Sequence, residues 1–286
     1  MTSSANHKRG EATAHCGIVL HPASHTRSPA MHRAAYTALE LDADYEVFDV
    51  APEALRSAMD RFRENGMQQL AVSIPHKEAM LEYVDEVDSV AHAIGAINTV
   101  TRTGDRLVGS NTDWIGAMRA IERETTIAGK RVVVLGAGGT ARALVYGLQA
   151  RGAEVHVLNR TVERARDLAR DLGAQSAGPL ADVALVAPQI LVNTTSVGLN
   201  EDRSPIPADS IRKGMIVLDA VYAPEVTRLL ADTKSRGGRP IGGKWMLVYQ
   251  AIEQLRLWTC LLDPKPTTSD LENVTEIMAN AFDARA

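Results

Sequence analysis

The chain has 286 residues, 45% of them hydrophobic and 23% charged, which suits one large or two ordinary soluble domains, each with its own core. The net charge of −4 comes from 31 basic and 35 acidic residues mixed along the chain, so no basic stripe exists for a nucleic acid or an anionic membrane. No apolar run reaches the roughly 18 residues that a membrane-spanning helix needs. Nucleic-acid and membrane partners are therefore not expected.

Cysteine and histidine positions narrow the class further. Cys16 and Cys260 stand alone without metal-ligand spacing, which is typical of a reducing compartment and predicts a cytoplasmic location. The eight histidines show no paired ligand pattern, so no metal site is predicted. Residues 1–14 lack the hydrophobic core of a signal peptide, and we expect them to form a disordered tail.

Strand and helix patterns alternate along the first part of the chain, which predicts a parallel sheet. The predicted elements are a strand over 15–20, a helix over 28–41, a strand over 45–50, a helix over 52–65, a strand over 68–73 and a short helix over 76–84. Two further strands, 99–102 and 106–110, are joined by the turn TGD and predict an antiparallel pair at the edge of this sheet.

A helix that begins near Asn111 is expected to connect two domains, because the same alternation then starts again. The second unit has predicted strands over 130–136, 154–159, 184–188, 189–194 and 214–220, with helices after the first two, the second of them over 161–173.

The last two predicted helices complete no strand-helix-strand unit. They cover 246–262 and 269–282, and a Ser269-x-x-Glu272 capping box starts the second. We expect them to pack back on the first domain. The predicted fold is thus α/β and two-lobed: a parallel or mixed-sheet domain over 15–113 with 246–286, a Rossmann-type dinucleotide-binding domain over 114–245, and a cleft between them.

A glycine-rich turn follows the strand over 130–136. Gly136, Gly138 and Ala141 fill the small positions of the G-x-G-x-x-G/A pattern, which serve the tight turn, the approach of backbone amides to a pyrophosphate and close helix packing. The N-terminus of the following helix attracts phosphates. Glycine turns also join strands to helices for structural reasons alone, but the order strand, turn, helix, strand favours a dinucleotide site here.

The next strand of this unit ends in an arginine, where such folds usually carry an acid. An acid binds the ribose 2′-hydroxyl of NAD and repels a 2′-phosphate, whereas Arg160 reverses that preference and can hold a phosphate through two N–H groups. Asn159 and Thr161 add polar groups, and Arg164 follows one helical turn later. We predict NADP as the cofactor; the alternative is a solvated surface arginine.

Nine short segments stand out along the chain: HPASHTRSPAMH, SIPHK, GAINT, GSNTD, GAGGTARA, NRT, NTTSVG, DAVYAPEVTRLL and MLVYQ. In this order, and over nearly the whole chain from about residue 16 to 262, they resemble the shikimate dehydrogenase family. The resemblance implies reversible NADP-linked reduction of the 3-keto group of 3-dehydroshikimate. It also implies an active site in the cleft between two lobes.

By position in these motifs, Lys77 and Asp113 would be the catalytic pair. Hydride transfer to a carbonyl carbon requires a proton or a positive charge at its oxygen, which an ammonium held by a carboxylate can supply. Which of the two exchanges the proton stays open. Without the resemblance, Lys77 would be a surface lysine and Asp113 a helix N-cap.

The resemblance also implies the substrate contacts. Asn98, Asp113 and Gln250 would bind ring hydroxyls, and Ser73 would place a hydroxyl in the same pocket. An analogue that lacks a hydroxyl would leave such groups unpaired and be rejected.

The substrate carboxylate would be bound by the hydroxyls of Thr26, Ser28 and Tyr222. Ser28 could instead only cap its helix, with Pro29 at the first helical position, and Tyr222 could be a core tyrosine.

The cofactor contacts implied by the resemblance extend beyond the glycine turn, with the backbone around 193–195 and 197–198 on the nicotinamide side. The full set is Gly136, Ala137, Gly138, Gly139, Thr140, Ala141, Asn159, Arg160, Thr161, Arg164, Thr194, Thr195, Ser196, Val197, Val221, Gly243 and Met246. Met246 could equally be core packing.

Four positions depart from the family pattern and leave the substrate open. Thr26 stands where the family usually has serine, and Ser73 where it usually has threonine. Ala71 stands where asparagine is common, and Trp245 where a glycine is usual. Trp245 could cap the nicotinamide end or reshape the cleft. Quinate and aminoshikimate are alternative substrates. A catalytically silent sensor that binds NADP and a shikimate-like ligand is an alternative function. The protein is expected to be a monomer or a homodimer.

Overall fold

The computed structural model describes residues 14–23 and 26–284. The predicted disordered tail lies outside this part of the chain, except for Ala14. Among the described residues, no helix has the length and apolarity needed to cross a membrane.

The first part of the chain alternates strands and helices, as predicted. In chain order the elements are β1 (Ala14–Leu20), α1 (Ser28–Ala38), β2 (Ala43–Asp49), a 3₁₀ turn (Pro52–Ala54), α2 (Leu55–Glu64), β3 (Gln69–Val72), a 3₁₀ turn (Ala79–Glu82), β4 (Glu86–Val87), α3 (Ser89–Ile94), β5 (Thr99–Thr103), β6 (Arg106–Ser110) and α4 (Asp113–Glu122).

These strands form one mixed sheet in the order β2-β1-β3-β5-β6-β4. β1 pairs in parallel with β2 and β3, while β5 is antiparallel to both β3 and β6. The prediction that the antiparallel pair forms the edge is wrong, because β4 adds to β6 in parallel. Two residues carry too little pattern to be recognised as a strand, and only the neighbouring strand defines them.

The short helix predicted over 76–84 is also wrong. This segment forms only turns and the 3₁₀ helix Ala79–Glu82. The His76 ring bonds the carbonyl of Val50 at 2.7 Å, and the buried Met80 anchors the turn to the core. Tertiary contacts of this kind override a local helical pattern in a segment too short to nucleate a helix.

The second part of the chain repeats the alternation and then ends in two helices. The elements are β7 (Arg131–Leu135), α5 (Gly139–Ala150), β8 (Glu154–Leu158), α6 (Val162–Leu172), β9 (Ser176–Gly178), a 3₁₀ turn (Leu180–Asp182), α7 (Val183–Val186), β10 (Ile190–Asn193), a 3₁₀ turn (Ala208–Ser210), β11 (Ile216–Asp219), α8 (Arg228–Ser235), β12 (Arg239–Ile241), α9 (Lys244–Thr259) and α10 (Thr268–Asp283).

The second sheet is parallel throughout, in the order β12-β11-β10-β7-β8-β9. The strand predicted over 184–188 is wrong: residues 184–186 belong to the one-turn helix α7, which ends before Ala187, and Leu185 is 82% exposed. Short apolar runs do not distinguish a strand from a helical turn by pattern alone. The predicted two-lobed α/β fold, with a mixed first sheet and a Rossmann-type second sheet, is confirmed.

Strand alternation directs side chains to two faces of each sheet. In β1, Val19 belongs to the buried cluster that contains residues of α2. Ile18, on the other face, belongs to the cluster that contains residues of α1, α9 and α10. In β7, Val132 and Val133 likewise enter two different buried clusters. Each sheet is therefore a middle layer covered on both faces.

The final helices share their buried cluster with the first sheet. Leu255 of α9 and Val274 of α10 pack in the cluster that contains Ile18. We propose on this basis the division into a domain over 15–113 with 246–286 and a domain over 114–245.

The predicted capping box of the last helix is misplaced by two residues. Thr267 is the N-cap of α10: its hydroxyl accepts from Asp270 N at 3.2 Å, and the Asp270 carboxylate accepts from Thr267 N at 2.8 Å. Ser269 and Glu272 therefore lie inside the helix.

Candidate active site

A cavity of about 370 Å³ lies where the carboxyl ends of strands from both sheets face each other. This is the usual position of ligand sites in open α/β sheets. From the predicted substrate and catalytic set, its lining includes Thr26, Ser28, Ser73, Lys77, Asp113, Tyr222 and Gln250. From the predicted cofactor set, it includes Thr140, Thr194, Thr195, Ser196, Val221, Gly243 and Met246.

Lys77 and Asp113 meet inside this cavity. Lys77 Nζ donates to Asp113 Oδ2 at 2.5 Å and to Thr140 Oγ1 at 3.1 Å. The two charged side chains are only 13% and 6% exposed, so water screens their interaction weakly. Asp113 is the first residue of α4, where the helix dipole favours a carboxylate. An ammonium beside a carboxylate in a sheltered cleft can stabilise negative charge that develops on a substrate oxygen.

Asn98 lies behind this pair and does not line the cavity. It is 1% exposed, and its Nδ2 donates to Asp113 Oδ1 and to Thr112 Oγ1, both at 2.9 Å. Its Oδ1 accepts from Thr112 N at 2.7 Å. Asn98 thereby orients the carboxylate of Asp113. Its direct contact with a ring hydroxyl stays a prediction.

Gln250 joins the same network from α9. Asn98 Nδ2 also lies 3.3 Å from Gln250 Oε1, and Gln250 Nε2 donates to the carbonyl of Leu247 at 2.8 Å. Ser73 directly follows β3 and faces the cavity near Lys77. Polar groups from four separate segments thus converge beside Lys77 and Asp113.

Three hydroxyl-bearing side chains gather at the start of α1. Thr26 Oγ1 accepts from Ser28 N at 3.3 Å, and the Tyr222 hydroxyl interacts with the Thr26 side chain. Burial raises the pKa of Tyr222, which keeps the phenol a neutral donor, although Thr26 partly opposes the shift. The N-cap of α1 is Arg27, so the alternative that Ser28 only caps the helix is wrong.

The glycine turn has the geometry that its pattern predicts. Gly136 has φ of +112°, and a Cβ there would lie 2.5 Å from Thr194 Oγ1. A Cβ at Gly139 would lie 2.8 Å from Lys77 Cβ, so the turn packs directly on Lys77. Gly138 is the N-cap of α5 and supplies no side-chain cap, which leaves the first backbone N–H groups available to phosphate oxygens.

The residues predicted to bind the 2′-phosphate lie at and just after the end of β8, and they do not line the cavity. The backbone N–H of Gly136 bonds the carbonyl of Leu158, which brings the turn beside this strand end. Arg160 is exposed, and among the described residues no carboxylate forms an ion pair with it. Arg164 donates to the carbonyl of Ala137 at 3.4 Å. Two cations beside the glycine turn fit NADP.

Asn159 and Thr161 complete that strand end. Asn159 Nδ2 donates to the carbonyl of Thr161 at 2.9 Å, which shapes the loop that carries Arg160. Ala141 is fully buried and allows close helix packing, as the third small position of the pattern predicts. Val197 lies in the loop after β10, where its N–H bonds Thr195 Oγ1 at 3.2 Å.

Trp245 turns away from the cavity. Its ring stacks on Tyr249 with centroids 5.6 Å apart, and the guanidinium of Arg123 lies 4.0 Å from its ring centroid. Trp245 therefore joins the start of α9 to the end of α4. Trp245 is not among the residues that line the cavity, so the structure does not support the hypothesis that it caps the nicotinamide end.

The sequence reading missed Asp219, which is fully buried at the end of β11. It accepts hydrogen bonds from Asn193, Val221 and Thr227. The sequence signal for it is an acid at the end of an otherwise apolar strand, IVLD, in the same unit as the glycine turn.

Similar proteins were found along nearly the whole chain. The family model described as Shikimate dehydrogenase substrate binding domain matches residues 18–100, and that described as Shikimate / quinate 5-dehydrogenase matches residues 119–201. The shikimate dehydrogenase (NADP(+)) of Thermococcus kodakarensis is 42% identical over 249 residues, which cover 85% of this chain and 90% of that protein.

Two solved structures are informative about the fold. The shikimate 5-dehydrogenase from Thermus thermophilus in complex with NADP(H) and shikimate has a TM-score of 0.82 and 36% identity, covering 93% of this chain and 99% of that one. The 5-ketofructose reductase of Gluconobacter sp. strain CHM43 has a TM-score of 0.79 and 30% identity, covering 96% and 99%.

Proposed function

The chain belongs to the shikimate dehydrogenase family, and we propose that it interconverts 3-dehydroshikimate and shikimate with NADP. The observation that carries this proposal is the pairing of Lys77 and Asp113 at 2.5 Å in a cavity that both lobes line. The pair adjoins the glycine turn through Thr140 and Gly139. A charge-stabilising group and a dinucleotide site thus face one cleft, as an NADP-linked reductase requires.

The chain's residues would hold the cofactor at two points. Backbone N–H groups at the start of α5 would bind the pyrophosphate, and Arg160 with Arg164 would bind the 2′-phosphate. NADP supplies or accepts the hydride when bound. Thr194 to Ser196, Val221 and Met246 would line the nicotinamide side.

Lys77 and Asp113 would manage the charge at the reacting oxygen. The Lys77 ammonium would donate a hydrogen bond to the substrate's keto oxygen and stabilise the charge that builds there during reduction. Asp113 holds the ammonium, and Asn98 fixes the second oxygen of Asp113. Positioned proton donors of this kind contribute about 10²-fold to 10⁴-fold in rate.

The substrate would lie with its carboxylate at the start of α1. Thr26, Ser28 and Tyr222 would donate hydroxyl hydrogen bonds to it, and Gln250 and Ser73 would bind ring hydroxyls. Both hydroxyl departures from the family pattern, Thr26 and Ser73, keep a donor in the cavity. This retention supports shikimate over an analogue with fewer polar groups.

The cytoplasm is the proposed location, supported by two free cysteines, Cys16 and Cys260, which form no disulfide in the described part of the chain. A monomer or a homodimer stays the prediction for the assembly.

Steady-state kinetics test the proposal. Shikimate, quinate and aminoshikimate are compared with NADP and with NAD, and shikimate with NADP is expected to give the highest kcat/KM. Lys77→Met should lower kcat by about 10²-fold or more. Lys234→Met, which removes an exposed lysine from α8, is the matched control. Substantial turnover by Lys77→Met, or higher kcat/KM with quinate, would contradict the proposal.

A further inference from the structure

We propose that Asp219 is a positioning residue that holds two walls of the cavity together, the nicotinamide side and the tyrosine that binds the substrate carboxylate. It touches neither substrate nor cofactor in this role. The inference rests on the proposed function for the identity of the ligands, but not for the geometry.

Asp219 is fully buried, and its carboxylate accepts three hydrogen bonds. Oδ1 accepts from Asn193 Nδ2 at 2.9 Å and from Val221 N at 3.0 Å, while Oδ2 accepts from Thr227 Oγ1 at 2.7 Å. Among the described residues, no cation pairs with it. A buried carboxylate held only by neutral donors is costly, and burial raises the pKa of Asp219 for this reason.

The first wall is the loop after β10. Asn193, whose amide group donates to Asp219, accepts at its own Oδ1 from Thr195 N at 3.0 Å and from Thr195 Oγ1 at 2.7 Å. Thr195 Oγ1 in turn accepts from Val197 N at 3.2 Å. Thr194 to Ser196 line the cavity, so the carboxylate of Asp219 orients the amide that fixes this wall.

The second wall is the loop after β11. The bond from Val221 N fixes the backbone immediately before Tyr222, and Val221, Tyr222 and Ala223 all line the cavity. Thr227 closes this loop from the other end, because its hydroxyl donates to Asp219 and caps α8 through Leu230 N at 3.3 Å. One carboxylate therefore sets both a cofactor-side loop and the loop that carries the substrate tyrosine.

An amide of the same shape can keep most of this network. With its oxygen in the place of Oδ1, Asn at position 219 would still accept from Asn193 Nδ2 and Val221 N. Its NH₂ group could donate to Thr227 Oγ1, because a hydroxyl also accepts. Alanine at the same position removes all three bonds, so the two substitutions separate the hydrogen bonds from the rest of the side chain.

The experiment compares Asp219→Ala, which removes all three hydrogen bonds, with Asp219→Asn, which can keep them. Asp209→Asn, an exposed acid in the same lobe, is the matched control. The Kd for NADPH is measured by fluorescence titration, and KM and kcat are measured separately for NADP and shikimate. The melting temperature of each ligand-free variant is recorded alongside.

Asp219→Ala is expected to raise the Kd for NADPH and the KM for shikimate, each by about tenfold, from loss of hydrogen bonds to a charged group. Asp219→Asn should recover most of both affinities. Wild-type values for both ligands in Asp219→Ala, with or without a lower melting temperature, would overturn the inference. So would an Asp219→Asn variant no closer to the wild type than Asp219→Ala.

If Asp219→Ala does not fold, Thr227→Val removes one donor, and we expect a change of about threefold in the same two constants. Unchanged constants in that variant overturn the inference. A wild-type protein that binds NADPH but does not oxidise shikimate would instead contradict the proposed function, because the NADPH titration still reads the Asp219 network.

Discussion

Mild acid should destabilise this protein through one buried ring, His32. The side chain is fully buried in α1, and its ring stacks on Tyr45 with centroids 4.3 Å apart and planes 11° apart. Neither ring nitrogen has a partner of good hydrogen-bond geometry among the described residues. Burial lowers the pKa of His32 from 6.5 to about 3, and the nearby Gln254 side chain only partly opposes the shift.

The sign follows from where the proton is bound. In the folded protein the ring stays neutral down to about pH 3, whereas in the unfolded chain it takes up a proton below pH 6.5. Unfolding therefore binds a proton between these values, and the free energy of unfolding falls as pH falls. The slope approaches about 1.4 kcal/mol per pH unit, which gives a loss of about 2 kcal/mol at pH 5 relative to pH 7.5. At pH values well above 6.5, the pKa of this histidine in the unfolded chain, the loss disappears.

Urea unfolding at pH 7.5 and pH 5.0, followed by fluorescence and circular dichroism, measures the effect. His32→Phe keeps a ring to stack on Tyr45 but removes the titrating group, so its loss between the two pH values should be about 2 kcal/mol smaller than that of the wild type. His92→Phe replaces an exposed histidine and serves as the control. If His32→Phe retains the wild-type pH dependence, the ring is not desolvated and the reasoning fails.

Three further outcomes follow from the site. Arg160→Ala should lower kcat/KM for NADP by about 10-fold to 100-fold, as expected for lost charged hydrogen bonds, with less than about a threefold change for NAD; equal losses with both cofactors would contradict its contact with the 2′-phosphate. Gly136→Ala should abolish NADP binding because its Cβ would lie 2.5 Å from Thr194 Oγ1, whereas Gly129→Ala, which also has a positive φ but open space around its Cβ, should bind normally in the same titration. Trp245→Ala should lower the free energy of unfolding by about 1 to 3 kcal/mol while leaving the KM for shikimate within about twofold; a larger change in KM would show that the ring shapes the cleft.

The sequence was most informative where chemistry is local. The turn around Gly136 needs a positive φ and the absence of a side chain, and both requirements are visible in the order of residues. The choice of NADP rests on Arg160, whose place at the end of β8 follows from the same short unit. Long apolar strands and amphipathic helices were also recognised, because their period is repeated several times.

Short elements were not recognised. β4, β9 and β12 have two or three residues each, and they exist because a neighbouring strand offers its backbone groups. The run over 184–188 has strand-like residues, but its first three residues lie in the one-turn helix α7. A local pattern of this length is compatible with either state, and only packing decides between them.

The amino-acid order by itself determined the two α/β units, the glycine turn and the preference for a cofactor with a 2′-phosphate. Each of these features depends on residues within one or two neighbouring elements. The tertiary structure alone decided that Lys77 and Asp113, 36 positions apart, lie 2.5 Å from each other, and that Asp219 holds two loops at once. Hydrogen bonds between distant segments depend on how the sheets and helices pack. No local period or spacing along the chain encodes that packing.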